Sequence, residues 1–306
     1  MAINEPVDPT IDETVGQPVL GEVTHSGFVA FVGRPNVGKS SLLNTLLGQK
    51  VSIVSDKPQT TRHRIHGVLT APPAQVIFVD TPGLHKPVSA LGKRVNATAL
   101  ASSDDVDIAC LVVDATKAFG SGDQWVVDNV NISRSGVRFF VILNKIDVAS
   151  PKQILSQLGN LSALKAEEYF PVSARSGAGV DVLKGALLAA MPEGPMYYPA
   201  GDMSDIPEAN WVAELVREEL LALVHDELPY SIATRVTEWE WPRVRCEIVV
   251  ERDSQKGMVI GKNGAILKQV GERVRAQMNK GAYLELHVVI DKNWQQRPDR
   301  VKRLGY

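Results

Sequence analysis

One stretch constrains this chain more than any other: Gly33-Arg-Pro-Asn-Val-Gly-Lys-Ser40. It fits G-x-x-x-x-G-K-[ST]. It follows an apolar run, Phe28 to Val32, that is predicted to be a buried strand, and it precedes Ser41 to Leu47, predicted to be a helix. Strand, glycine loop and helix in that order are the setting this pattern needs. Gly33 and Gly38 let the backbone turn tightly, so that successive N–H groups, Val37 among them, point at a di- or triphosphate. The start of the helix, at Ser41, adds positive partial charge at the same place. Lys39 is placed to reach the β- and γ-phosphates, and the Ser40 hydroxyl to ligate Mg²⁺. A chance glycine loop capping a helix is the alternative, and it would not require these flanks.

Two further motifs follow in chain order. The strand candidates Ile65 to Leu69 and Val76 to Val79 are separated by a turn at Ala71-Pro-Pro73, and the second ends in Asp80-Thr-Pro-Gly83. A carboxylate at the end of a buried strand, Asp80, suits Mg²⁺ held through water, and Gly83 can bring its N–H to a γ-phosphate. After the apolar run Ile108 to Asp114 and a helical stretch from Asp123 to Ile132, the strand Val137 to Leu143 ends in Asn144-Lys-Ile-Asp147. The Asp147 carboxylate matches guanine N1–H and N2 amino donors, a pair that adenine lacks. Asn144 would tie this segment to the phosphate loop, and the Lys145 stem would cover the purine face. A helix cap at Asp147 is the alternative reading. A strand Tyr169 to Val172, the turn Ser173-Ala174-Arg175, which is placed to support the base through backbone contacts, and a helix Val180 to Met191 complete this part. Strands alternating with helices, with functional residues at strand C-termini, imply an α/β fold: a mostly parallel sheet with helices on both faces.

Length allows two domains. The boundaries expected are an acidic disordered tail at 1–24, a nucleotide domain at 25–191, a proline- and glycine-bearing linker at 192–207 and a second domain at 208–306. Cys110 and Cys246 lie in separate apolar runs, which suits buried reduced thiols rather than a disulfide framework. No apolar run approaches the ~18 residues of a membrane span, and the N-terminus lacks a basic and apolar leader. A cytoplasmic protein is expected, with peripheral association at the inner face of the cell membrane as the alternative.

The second domain reads as a helix with Val212, Leu215, Val216, Leu220 and Leu223 on one face, then strands Thr234 to Trp241 and Val244 to Val250. A short helix, Lys256 to Ile260, leads to Gly261-Lys-Asn-Gly264. A long helix carrying Ile266, Val270, Val274 and Met278 follows, and a strand Tyr283 to Ile290 closes the pattern. Gly261 and Gly264 remove side chains where a nucleic-acid backbone would approach. Lys256, Lys262, Asn263 and Lys268 line its path, and Val259, Ile260 and Ile266 would floor a groove for unstacked bases. The formal charge is only −2 overall, but residues 205–240 hold 9 acids and 2 bases, whereas residues 241–306 hold 14 bases and 7 acids. That asymmetry suits a nucleic-acid face. Trp239, Trp241 and Trp294 read as packing or rim residues. His63, His66 and His85 lack metal-ligand spacing.

The motifs in this order resemble the translation-factor-related GTPases. The wording Gln59-Thr-Thr-Arg-His-Arg64 and Asp80-Thr-Pro-Gly-Leu-His85 narrows the resemblance to the Era family of ribosome-associated GTPases, from about Ser26 to the C-terminus. The second domain resembles a smaller α+β type II KH domain. Resemblance implies GTP/GDP and Mg²⁺ as ligands, with Thr61, or alternatively Thr60, closing on the metal beside Ser40 and Asp80. It implies the single-stranded 3′ region of small-subunit ribosomal RNA as partner, and a role in maturation of the small ribosomal subunit. A monomer is expected. Where many GTPases place a water-orienting glutamine, this chain has Leu84, so slow intrinsic hydrolysis is expected. In related GTPases with a hydrophobic residue there, an asparagine at the position of Asn36 helps bind potassium; here either that role or simple support of the loop turn remains open. Arg62 and Arg64 read as solvated charges. The competing functions are a GTP-gated RNA scaffold that does not hydrolyse and a membrane-associated signalling GTPase.

Overall fold

Strands buried on both faces need no polar alternation, and this chain builds its first sheet from such runs. In the computed structural model, β3 (Ala74–Asp80) and β4 (Ile108–Asp114) are buried at every position. They flank β1 (His25–Val32), and β5 (Arg138–Asn144), β6 (Glu168–Pro171) and β2 (Ile65–Ala71) complete a six-stranded sheet of order β2-β3-β1-β4-β5-β6. Only β2 runs antiparallel, against β3. Described residues are 23–58, 60–62, 65–84, 89–101, 105–130 and 136–306. The acidic tail expected at the N-terminus therefore lies almost wholly outside the described residues, as do Gln59, His63, Arg64 and His85.

Helices α1 (Lys39–Leu47) and α5 (Val180–Ala189) cover one face of the sheet around Leu42, Leu46, Phe78 and Leu183. On the other face lie α2 (Ala90–Ala101), α3 (Ser121–Asn129) and α4 (Pro151–Leu161), around Val79, Leu111, Val126 and Leu161. The loop after β1 leaves the sheet where the order reverses, between β3 and β4, the crevice in which open α/β sheets bind ligands. Residues 192–207 are irregular but anchored: Ser26 N donates to Pro192 O at 2.9 Å, Val68 N to Met203 O at 2.9 Å, and Gln75 Oε1 accepts from Tyr197 N and Tyr198 N.

The second unit begins with α6 (Glu208–Leu223) and α7 (Leu228–Ser231). Then come β7 (Ala233–Glu240), β8 (Arg243–Val250), α8 (Asp253–Ile260), α9 (Ala265–Arg275), β9 (Tyr283–Ile290) and α10 (Pro298–Arg303). Its sheet order is β7-β8-β9, antiparallel and then parallel. Val244, Cys246, Ile248 and Val250 alternate toward α6, α8 and α9, as the period-2 pattern requires. The opposite sheet face carries Ala233 and Val249 into a second core with Trp294, Val301, Leu304 and Tyr306, and this core takes Leu91 and Val95 of α2 from the first unit. No helix among the described residues is long and apolar enough to cross a membrane.

Candidate functional site

The phosphate loop is held from three sides. Lys39 Nζ spans it, donating to Gly33 O and Arg34 O at 3.0 Å each. Asn36 turns through a positive φ of 64° and donates from Nδ2 to Asp56 O at 2.6 Å, while its own carbonyl accepts from Lys145 Nζ at 2.7 Å. Gly83 brings the following segment against the loop so closely that a Cβ there would lie 2.7 Å from Pro35 Cα. The N–H of Leu84, a fully buried residue, donates to Gly33 O at 3.2 Å.

Three hydroxyls converge on Asp80. Its Oδ2 accepts from Ser52 Oγ at 2.8 Å, Ser40 Oγ at 2.9 Å and Thr61 Oγ1 at 3.4 Å, and the Ser40 and Thr61 hydroxyls lie 2.9 Å apart. Asp80 Oδ1 is buried without a hydrogen-bond partner. A hard cation with its waters supplies what that oxygen lacks, so the donor set fits Mg²⁺. Thr60 points elsewhere, its hydroxyl donating to Lys57 O at 2.7 Å, so Thr61 is the threonine that the fold brings to this point. Burial pushes the Asp80 carboxyl above its ordinary range, against the pull of the Ser52 hydroxyl and the Lys39 ammonium. Burial also lowers the Lys39 ammonium to about 8, with the Asp80 charge opposing.

Beyond Gly38 opens a cavity of about 360 Å³ lined by Ser41, Asn144, Lys145, Asp147, Ala174 and Arg175. Asn144 is its hinge pin: Nδ2 donates to Val37 O at 2.9 Å, and Oδ1 accepts from Ala174 N at 3.0 Å. Asp147 is not a helix cap. That place belongs to Ser150, whose hydroxyl accepts from Gln153 N, and Asp147 Oδ1 accepts instead from Ser173 Oγ at 2.7 Å. Lys145 is fixed by Asp114 Oδ2 at 2.7 Å.

Sequence reasoning missed several of these partners. Ser52 and Asp114 carry no motif, although Asp114 ends a buried strand as Asp80 does. Arg62 corrects an expectation: it is not solvated but buried, donating to Ile232 O at 2.7 Å and Tyr230 O at 3.2 Å beside the rings of Trp294 and Tyr306. Arg217 of α6, wholly buried and paired with Glu214, donates to Thr60 O. Glu218 accepts from Val54 N at 2.9 Å and from Lys50.

In the second unit Gly261 and Gly264 both take positive φ, 75° and 76°, and Asn263 between them has φ 53°. Lys262, Asn263 and Lys268 are exposed; Lys256, Ile260 and Ile266 are half-buried. Val259, expected on the groove floor, is instead fully buried in the core against α6 and α9, because the face of α8 it occupies points inward. Trp294 is core, whereas Trp239 and Trp241 are exposed. His66 pairs with Asp205 at 2.6 Å.

A phosphate loop at a sheet switch point, joined to an α-β-β-α-α-β unit with G-x-x-G between its helices, defines a P-loop GTPase carrying a KH domain. Family models agree with that class: one described as "50S ribosome-binding GTPase" matches residues 28–145, and one described as "KH domain" matches residues 227–295. The chain belongs to the Era family of GTPases. It is 44% identical over 295 residues to GTPase Era of Heliobacterium modesticaldum, covering 93% of this chain and 98% of that protein. It is 45% identical over 297 residues to GTPase Era of Mycobacterium tuberculosis, covering 92% and 99%. Among solved structures it is similar to Era in complex with MgGDPNP and nucleotides 1506–1542 of 16S ribosomal RNA, with TM-score 0.88 and 36% identity over 92% of this chain and 99% of that one. An Aquifex aeolicus Era variant bound to GDP and AlF₄⁻ gives TM-score 0.87 at the same identity and coverage.

Proposed function

We propose that this protein is a GTP-switched RNA-binding protein that holds the single-stranded 3′ region of small-subunit ribosomal RNA during maturation of the small subunit. One observation carries the switch: Thr61 turns into the cluster of Ser40 and Asp80, while its neighbour Arg62 is seated in the KH unit. The RNA fragment bound by the Era relative supports the partner. Units 25–191 and 208–306 act as the nucleotide and RNA domains, joined by 192–207.

In this reading the amides of Gly33, Asn36, Val37, Gly38 and Ser41 cradle the phosphates with Lys39. Asp147 reads guanine, with Asn144, Lys145 and the turn Ser173, Ala174 and Arg175 in support. Ser40, Thr61 and Asp80 would hold Mg²⁺, which when bound neutralises charge on the phosphates. Gly83 donates its N–H to the γ-phosphate. Leu84 cannot hydrogen-bond a water, so intrinsic turnover is slow. Asn36 supports potassium-stimulated hydrolysis, and equal rates in potassium and sodium would remove that role. RNA passes over Lys256, Ile260, Gly261, Lys262, Asn263, Gly264, Ile266 and Lys268. The protein acts in the cytoplasm, with weak peripheral association at the membrane. Affinity for the 3′ RNA, measured with GTP, with GDP and without nucleotide, is expected to differ. Identical affinities, with hydrolysis unmoved by the RNA, would refute the switch.

A further inference from the structure

The face of the KH sheet turned away from α8 and α9 carries a cleft that the G-x-x-G reading does not use. Strand residues alternate between faces. Val244, Cys246, Ile248 and Val250 point to the helices, so Glu247 and Val249 point the other way, with Arg235 and Val289 paired beside them in register. The C-terminal segment closes over these residues and leaves a cavity of about 400 Å³. Five cations line it, Arg235, Lys292, Arg297, Arg300 and Arg303, against two carboxylates, Glu247 and Asp291.

The carboxylates do not satisfy the cations. Glu247 is taken by Arg235 at 2.7 Å and Asp291 by Arg300 at 3.3 Å. Arg297 has only Asp299 at 3.8 Å, and Lys292 and Arg303 have no carboxylate partner among the described residues. Arg300 Nε is buried and makes no hydrogen bond, since its 3.5 Å approach to Asp299 lacks the geometry for one. Cations in excess of carboxylates around a cavity favour an anionic occupant, and planar guanidinium forks match phosphate oxygens.

We propose that this cleft is a second site for RNA phosphodiester backbone, on the opposite face of the sheet from the G-x-x-G clamp; it rests on the RNA reading above. A KH clamp grips about four nucleotides. A longer RNA leaves that clamp and must run over the domain surface, where a concave row of arginines stands ready to neutralise it. A bilayer is the poorer occupant, because the charges line a concavity in which Ile290 is the one exposed apolar residue among the described lining, Val249 and Leu304 being buried in the core beneath.

The test uses the full chain and the double variant Arg297→Gln/Arg303→Gln, with Lys292→Gln as a second variant. Two RNAs are compared: one matching nucleotides 1506–1542 of 16S ribosomal RNA, the fragment bound to the Era relative, and a single strand of about eight nucleotides from its 3′ end, sufficient only for the clamp. The double variant should bind the short RNA as the wild type does. Its affinity for the long RNA should fall about tenfold at ~0.15 M salt, and the slope of log K against log salt should shrink by about 1.4, with half that change for Lys292→Gln. Unchanged long-RNA affinity and slope would overturn the site while leaving the clamp intact. So would loss of binding to phosphatidylserine vesicles with RNA binding unmoved. Wild-type protein that bound neither RNA would sink the RNA reading itself, and this site with it.

Discussion

Lys39 is 6% exposed and its charge is met by two carbonyls and, at longer range, by Asp80. With its ammonium at about 8 rather than 10.5, the folded free protein binds fewer protons than the unfolded chain between those values. Stability of the nucleotide-free fold should therefore rise across that window. A bound polyphosphate reverses the local field and restores the proton. Nucleotide affinity is expected to fall by up to tenfold per pH unit above about 8, with proton uptake on binding, which calorimetry in buffers of different ionisation enthalpy will register. In the proposed reading Asp147 makes a different demand, because its carboxylate, held at Oδ1 by Ser173 Oγ, accepts from a guanine edge. Asp147→Asn should cost about two orders of magnitude in GTP affinity and recover much of it with xanthosine triphosphate, as followed by fluorescent-nucleotide displacement. A variant that bound both nucleotides as before would exclude Asp147 from base reading.

Helix α6 does two jobs that its sequence displays unequally. Its apolar stripe announces the KH core, but Arg217 and Glu214 interrupt that stripe, and both are buried. Arg217 also reaches Thr60 O, fastening the segment that carries Thr61. Arg217→Met would remove the cation paired with the buried Glu214, and a loss of about 3–5 kcal/mol is expected in urea unfolding. Adding Glu214→Leu should return most of it. Strands β3, β4 and β5 were legible because burial on both faces leaves unbroken apolar runs. β9 was read to the residue, and the motif spacing placed Ser40, Asp80 and Asn144 together in advance. Helices α2, α4, α7 and α10 carry no pattern that the sequence analysis picks out. In α2 only Leu91, Val95 and Ala99 mark a face, among glycine, asparagine and small residues, and its packing partners Trp294 and Val301 lie some two hundred positions away. The long helix was also read too far: α9 stops at Arg275, and Met278 lies beyond it. Arg62 misled for the same reason as α2, since a charge beside a switch threonine looks solvated until the distant carbonyls of Tyr230 and Ile232 are placed on it.

The two units share a core through Leu91 and Val95 of α2, and beside Thr61 they meet again through Arg62 and through Arg217 on Thr60 O. Consecutive Cα atoms are 3.8 Å apart, so Thr61 cannot move by more than a side-chain adjustment without pulling its neighbour. Arg62 occupies a seat where burial, above all, works against its charge: its Nε is unpaired, and its guanidinium is held below its ordinary value. In the proposed switch, this buried arginine, kept by two carbonyls and two aromatic rings, is the catch that a shift of Thr61 would release. Releasing it would free Tyr230 O and Ile232 O at the start of β7 and uncover Trp294 and Tyr306, and so loosen the C-terminal segment on the KH sheet. Arg62→Met keeps the bulk between the rings and removes the charge. The fold should lose about 1–3 kcal/mol, since two carbonyls lose their donor while a buried charge with an unpaired Nε is removed. Nucleotide affinity should be unchanged, because Arg62 makes no contact in the phosphate loop. What should vanish is the difference in RNA affinity between the GTP and GDP states, falling to less than about twofold, or about 0.4 kcal/mol of coupling. Measured by titrating the 3′ RNA at each nucleotide state, an undiminished difference in Arg62→Met would assign the coupling to the remaining contacts between the units, those of α2, Arg217 and Glu218.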